Sequence, residues 1–242
     1  MPRETETERS VAHPEISAAT RIIRNRVREA AITAGRDPAG IRIVAVSKTV
    51  PPDRMREAIE AGVTILGENY IQEARRKTAV LSHIPVSWHF IGHLQSNKAR
   101  YAVRMFDLIH SVDSWKLAEE LDRQARKIAK TQNILIQANI AGEKSKSGVS
   151  IEDALALIRD VGRLEHLRIK GLMTMPPFFD APEKARPYFR ALRELSGYVA
   201  SQKLPNVDMI ELSMGMSGDF EAAIAEGATL VRIGTAIFGN RS

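Results

Sequence analysis

Eight short apolar runs, each followed by an amphipathic stretch, constrain this 242-residue chain more than any other feature. They are Ile43–Ser47, Thr64–Leu66, Ser87–Ile91, Leu108–Ser111, Ile134–Ala138, Leu167–Leu172, Asp208–Leu212 and Thr229–Ile233. Each is too short for a stable helix and rich in β-branched or large apolar residues, which suits strands buried in a parallel sheet. The helices between them carry recognisable punctuation. Pro52 opens one that stops at Gly62, with proline first and glycine last. Ser150-Ile151-Glu152-Asp153 has the form of a capping box, Ser114 can cap a long helix through Leu117 and Leu121, and another helix runs from Asp219 to Gly227.

Strand–helix alternation of this kind leaves two parallel folds, the closed barrel and the open doubly wound sheet. The length is close to the ~250 residues of a (β/α)8 TIM barrel. No G-x-G-x-x-G follows the first strand, which removes the main pointer to a dinucleotide fold. An α/β barrel is therefore expected. Nine residues follow Ile233, too few for a full eighth helix. The amphipathic segment Glu15–Ala34, ahead of the first strand, is expected to cover that side. Composition does not break between Gly40 and Gly239, so residues 15–242 read as one domain, with residues 1–14 a flexible tail.

Composition excludes several classes of function. There is no cysteine, hence no disulfide framework and no thiolate chemistry. No apolar run approaches the ~20 residues of a membrane span, and the charged start Met1–Arg9 is no secretory signal. A cytoplasmic protein is expected. The net charge of +6 comes from residues such as Arg21, Arg24 and Arg26, interleaved with apolar positions as on outer helix faces. Aromatics make up only 5%, a poor basis for stacking nucleic-acid bases. Neither nucleic acid nor membrane is an expected partner.

In a barrel, chemistry sits where strands exit at their C-terminal ends, and phosphate sites favour the loops after strands seven and eight. The first strand exits into Ser47-Lys48-Thr49 and the second into Gly67-Glu68-Asn69-Tyr70. The seventh exits into Ser213-Met214-Gly215-Met216-Ser217-Gly218, and the eighth carries Arg232 and then Gly234-Thr235. Glycines and hydroxyls in the last two loops suit an anion, and together they outweigh the plain reading of chain-turning residues. Lys48, at the mouth, can act as an amine toward a carbonyl once partly desolvated, although a lone lysine more often reaches solvent. Arg232 suits the pyridine nitrogen of pyridoxal 5′-phosphate (PLP), which it would leave unprotonated. Its alternative is an ion pair with a barrel carboxylate such as Glu211.

These residues resemble a known family. Ile43-Val44-Ala45-Val46-Ser47-Lys48, Gly67-Glu68-Asn69-Tyr70, Trp88 through Lys98, His110-Ser111-Val112-Asp113, Gly171-Leu172-Met173-Thr174-Met175, Ser213 through Ser217 with Asp219, and Arg232 through Gly239 resemble the pyridoxal phosphate homeostasis proteins (the YggS/PROSC family). The resemblance runs from about Ile16 to Arg241. It implies a fold-type III PLP barrel, similar to the N-terminal domain of alanine racemase, with PLP held as a Schiff base on Lys48. It also implies phosphate contacts from Ser213, Met214, Gly215, Met216, Ser217, Gly234 and Thr235, the pyridine nitrogen on Arg232, and Asn69 lining the pocket. The resemblance further implies a carrier or regulator of PLP supply without an established reaction, with PLP-dependent apo-enzymes as candidate recipients. His93 departs from the family pattern after Ile91-Gly92.

Other candidates carry less. His89 and His93 lie on a strand and its loop without a third ligand spaced for a metal. The polar loop Ala141–Gly148, with Lys144 and Lys146, reads as a surface loop or as a lid contacting PLP. Trp88, Phe90, Met173 and Met175 suit core or pocket wall. Ser111, His110 and Asp113 do not make a triad, because strand neighbours point to opposite faces. The alternative function is a PLP-dependent amino-acid racemase, which needs an acid/base on each face of its substrate. The second is commonly a tyrosine from another domain. This chain stops with the barrel, and only Tyr70 of its four tyrosines lies near a strand exit. A monomeric carrier is the expected form.

Overall fold

A computed structural model describes residues 14–143 and 147–239. The eight strands are β1 (Arg42–Val46), β2 (Ile65–Glu68), β3 (Ser87–Phe90), β4 (Leu108–Val112), β5 (Gln132–Gln137), β6 (Leu167–Met173), β7 (Val207–Met216) and β8 (Leu230–Ile233). They pair in sequence order, all parallel, and β8 returns to β1 to close the barrel. The helices are α1 (Pro14–Thr33), α2 (Pro52–Glu60), α3 (Ile71–Val80), α4 (Ala99–Met105), α5 (Trp115–Arg126), α6 (Ile151–Val161), α7 (Arg186–Ser201), α8 (Phe220–Ala225) and the single turn α9 (Thr235–Phe238). Among the described residues no helix is long and apolar enough to cross a membrane.

The expected punctuation holds at most ends. Pro52 is the first residue of α2, and Ser150 Oγ accepts the Asp153 N–H at 3.1 Å to cap α6. Ser114 stands at the N-cap of α5, but its hydroxyl makes no capping bond. The largest departure is β7, which runs on through Ser213-Met214-Gly215-Met216, a segment expected to be loop. Its ladder to β8 shifts register between Ser213 and Met216, an irregularity that the strand carries without ending.

Two apolar layers surround the sheet. Residues facing the helices, among them Ala45, Leu66, Phe90, Ile109, Val231 and Ile233, form the larger one. Residues facing inward, Val44, Ile65, Ile91, Leu108, Leu135, Met173 and Leu230, fill the barrel. Strand alternation sorts them: in β8, Leu230 points in, Val231 and Ile233 out. Helix α1 covers the side that α8 and α9 leave open, burying Ile16, Ile23, Val27 and Ala31 and packing on α2, α8 and α9. Arg26 pairs with Glu221 at 2.5 Å and lies over the Phe220 ring, while Arg36 donates to the carbonyls of Ile224 and Ala228 at 2.7 and 2.8 Å.

Strand β6 carries a bulge. Its register shifts against both β5 and β7 beside Gly171, whose φ is +153°. A Cβ there would stand 1.8 Å from the Glu211 carbonyl oxygen, which is backbone and cannot swing away. Gly171→Ala is expected to destabilise the barrel by about 3 kcal/mol, at the upper end of overpacking costs. Urea unfolding measures it; an unchanged midpoint would contradict the close approach.

Candidate functional site

At the C-terminal mouth lies a cavity of about 310 Å³, near the small end of the ~300–1,000 Å³ typical of small-molecule sites. Lys48 enters it from β1, Arg232, Gly234 and Thr235 from β8 and its exit, and Met216, Ser217, Gly218 and Asp219 from the turn after β7. Pro177, Phe178 and Phe179, from the loop after β6, form an apolar wall, with Phe178 87% exposed at the rim.

Lys48 reaches the cavity because its neighbours are clamped. Ser47, one residue earlier, donates through Oγ to Glu68 Oε1 at 2.6 Å. Lys77 Nζ, on α3, donates to the Ser47 carbonyl at 2.5 Å and pairs with Glu68 at 2.8 Å and Glu73 at 2.7 Å. Glu73 also accepts the Thr49 N–H at 2.5 Å. Thr49 has φ +64°, a left-handed conformation that costs a non-glycine residue about 1–2 kcal/mol. Burial pushes the Glu68 carboxyl up, and the Lys77 charge opposes that shift. Removing one partner of such a buried pair costs more than the pair itself contributes, so the cluster resists loosening.

Arg232 is buried, with 4% of its surface exposed. Its Nη1 donates to Ser213 Oγ at 2.7 Å and its Nη2 to the Thr174 carbonyl at 2.9 Å. A guanidinium has five N–H donors, so capacity remains on a group that lines the cavity. Burial pushes its pKa down to about 10, and the charge of Asp219 works against that. Arg232 makes no contact with Glu211, which is held by Arg42 and Thr229. Glu211 lies nearer the start of β7, beside Arg42 at the start of β1, whereas Arg232 pairs in register with Met216, so the alternative ion pair does not form.

Opposite Lys48 the chain offers an anion cradle. Asp219 ties the turn by accepting the Met216 N–H at 2.6 Å, and its own N–H returns to the Met216 carbonyl at 3.1 Å. The backbone N–H groups of Ser217 and Gly218, between them, take no acceptor among the described residues. Gly234 N–H donates to Ser217 Oγ at 3.4 Å, joining the two loops. An amine, a buried guanidinium and unspent amides around one small cavity fit the aldehyde, ring nitrogen and phosphate of PLP.

The structure thus brings together Lys48, Met216, Ser217, Arg232, Gly234 and Thr235. The other expected residues stand behind them. Ser213 is fully buried, and its hydroxyl is taken by Arg232 and His110. Met214 packs in the outer core. Gly215, at φ +89°, allows close approach to α8: a Cβ would lie 2.6 Å from that of Ala223. Asn69 lies at the end of β2 outside the cavity lining, with its Oδ1 buried and unpartnered.

The family model for the N-terminal domain of alanine racemase matches residues 21–242. A pyridoxal phosphate homeostasis protein of Pseudomonas aeruginosa is 48% identical over 218 residues, 89% of this chain and 91% of the relative. One of Aquifex aeolicus is 44% identical over 216 residues, 89% of this chain and 94% of the relative. The chain belongs to the pyridoxal phosphate homeostasis protein family. Among solved structures, PipY of Synechococcus elongatus, determined with PLP bound, is 37% identical, with a TM-score of 0.81 over 93% of this chain and all of PipY.

Sequence reasoning missed the two polar clusters that this member of the family builds behind its cavity. The Lys77–Glu68–Glu73 clamp joins a helix to a strand end, and no local pattern announces it. The second cluster lies inside the barrel: His110 Nδ1 is 2.9 Å from Ser213 Oγ, and His110 Nε2 is 2.9 Å from His89 Nδ1. Its one local signal was two histidines at inward positions of apolar strands. His93 lies apart, 3.3 Å from Ser147 Oγ, and no group of three His, Asp or Glu side chains suits a metal among the described residues. Ser111 Oγ is buried without a partner, and His110 turns to Ser213 rather than to Asp113. Trp88 and Phe90 are outer core, and Met173 fills the barrel. Lys144 and Lys146 lie outside the described residues.

Burial pushes His89 down to about 4, against the pull of Asp107, and pushes His110 well below its ordinary value, with the charges of His89 and Arg232 adding to that. Both rings are neutral in the folded protein near pH 7. In the unfolded chain each takes a proton near pH ~6.5. Their contribution to stability is therefore complete above that pH and is lost as the pH falls toward 4, where the unfolded chain binds more protons. For His89 the loss is about 3 kcal/mol at ~1.36 kcal/mol per unit. Unfolding free energies of the wild type and His89→Gln, compared near pH 7 and pH 4.5, are expected to show a shallower acid loss in the variant. Parallel curves would contradict the neutral pair.

Proposed function

We propose that this chain holds PLP on Lys48 and buffers or delivers it in intracellular vitamin B6 homeostasis, without turning over amino acids. The observation that carries this reading is the meeting of Lys48, buried Arg232 and the unspent Ser217 and Gly218 amides around one cavity. When bound, PLP would supply an aldehyde able to condense with a primary amine. Lys48 is that amine. Arg232 would face the ring nitrogen and, being able only to donate, would leave it unprotonated. The turn after β7 and the start of α9 take the phosphate through backbone N–H groups and the Ser217 and Thr235 hydroxyls. Residues 15–242 act as one domain, a cytoplasmic monomer that supplies PLP-dependent apo-enzymes.

Absorption of the purified protein near the visible edge, followed by borohydride reduction and peptide mapping, tests the site. A reduced PLP adduct on Lys48, and loss of the band in Lys48→Ala, are expected. An adduct confined to another lysine would contradict the assignment.

The cavity favours holding over proton shuttling. Its ionisable side chains are Lys48, Arg232 and Asp219, and the Asp219 carboxylate is engaged by the Met216 N–H. Tyr70 does not line it and is largely exposed. A racemase needs a second proton donor facing Lys48 across the substrate, and none of these residues supplies one. PLP-loaded protein given L-alanine, D-alanine or other amino acids is expected to show no change of optical rotation. Turnover at even ~1 s⁻¹, the low end for ordinary enzymes, would overturn the carrier reading.

A further inference from the structure

The barrel interior is lined by Val44, Ile65, Ile91, Leu108, Leu135, Met173 and Leu230, yet a line of polar side chains crosses it. His89, His110, Ser213 and Arg232 are at most 4% exposed. Consecutive members stand 2.9, 2.9 and 2.7 Å apart, and the two imidazole rings are tilted by 53° with centroids 5.0 Å apart. Buried polar groups are often replaceable by apolar residues of similar volume without loss of stability, so packing alone does not explain the line.

Proton bookkeeping gives the line a direction. Arg232 can only donate, so it occupies a lone pair of Ser213 Oγ. The serine hydroxyl has one proton, and its side-chain neighbours are Arg232 and His110. If His110 Nδ1 carried a proton, it would take the second lone pair and leave the buried serine O–H with no side-chain acceptor, an outcome that costs about 1–3 kcal/mol. The satisfied arrangement has Ser213 donating to His110 Nδ1 and His110 Nε2–H donating to His89 Nδ1.

We infer that His110 is a positioning residue for Arg232: held in one tautomer by His89, it draws the Ser213 proton to itself and turns a serine lone pair onto Arg232 Nη1. The guanidinium is thereby pinned between Ser213 Oγ and the Thr174 carbonyl, with its remaining donors presented to the cavity. No carboxylate touches Arg232 among the described residues, so neutral acceptors alone fix its plane. The consequence for PLP rests on the reading that Arg232 meets the ring nitrogen; the pinning itself does not.

The test compares His110→Leu, which removes the acceptor, with His110→Asn, whose Oδ1 can replace Nδ1 toward Ser213. Ser213→Ala removes the link from the other side and serves if His110→Leu fails to fold. In the PLP-free protein, nitrogen-15 NMR of the Arg232 side chain is expected to show slow proton exchange in the wild type and His110→Asn. Exchange about tenfold or more faster is expected in His110→Leu and Ser213→Ala, the factor that goes with losing a hydrogen bond to a charged group. In the PLP-loaded protein, the same two variants are expected to weaken PLP binding by about tenfold and to shift the pH midpoint of the bound-PLP absorption band, with His110→Asn near the wild type. Unchanged exchange in His110→Leu and Ser213→Ala, or equal effects of Leu and Asn at position 110, would overturn the inference. Faster exchange in His110→Leu and Ser213→Ala, with no uptake of PLP by the wild type, would uphold the pinning and remove the cofactor reading instead.

Discussion

The pairing of the last strand with the first is the constraint from which the site follows. Val44 of β1 lies in register with Arg232 of β8, so both strands leave the barrel side by side. Lys48, two inward positions past Val44, and Gly234, one past Arg232, therefore open onto the same cavity although most of the chain separates them. An open sheet with the same strands would leave β1 and β8 apart. Closure also makes an interior, and that interior allows an arginine to be buried with chosen neutral partners instead of the carboxylate a surface would offer.

Two polar clusters then fix the surroundings of Lys48 and of Arg232 separately. On the outer side of β1, the Lys77 ammonium holds the Ser47 carbonyl and two carboxylates, and Glu73 keeps Thr49 in its left-handed turn, so Lys48 leaves the strand at a set angle. On the inner side, the line from His89 to Ser213 reaches Arg232. Both clusters place charge in a low-dielectric setting, where paired groups interact strongly and unpaired ones are costly. Rigid placement of an amine and a guanidinium is what a protein that holds a cofactor needs, and it asks for no group that moves a proton across a substrate.

Much of this was legible in the sequence, for definable reasons. Strand positions follow from short apolar runs, and the strand exits read from them include Lys48 and Arg232, which line one cavity. The covering role of α1 was legible in the amphipathic pattern ahead of the first strand, and α1 packs on α2, α8 and α9. Legibility failed where tertiary partners decide. The segment from Ser213 to Met216 lacks β-branched residues and contains a glycine, so it reads as loop, yet pairing with β6 and β8 keeps it strand. That extension carries Ser213 below the cavity, to Arg232 and His110, leaving the unspent turn amides to Ser217 and Gly218. Glu68 gave no sign of its partner on α3, because a strand-end carboxylate and a helix lysine nine residues apart share no periodic pattern.

A crystal structure of the PLP-loaded protein would show whether amine, guanidinium and backbone amides converge on one molecule. The account requires density continuous with Lys48 Nζ, a ring nitrogen within hydrogen-bond distance of Arg232, and the phosphate over the Ser217–Gly218 and Gly234–Thr235 amides. PLP seated with its ring nitrogen away from Arg232, or its phosphate outside those two loops, would contradict it.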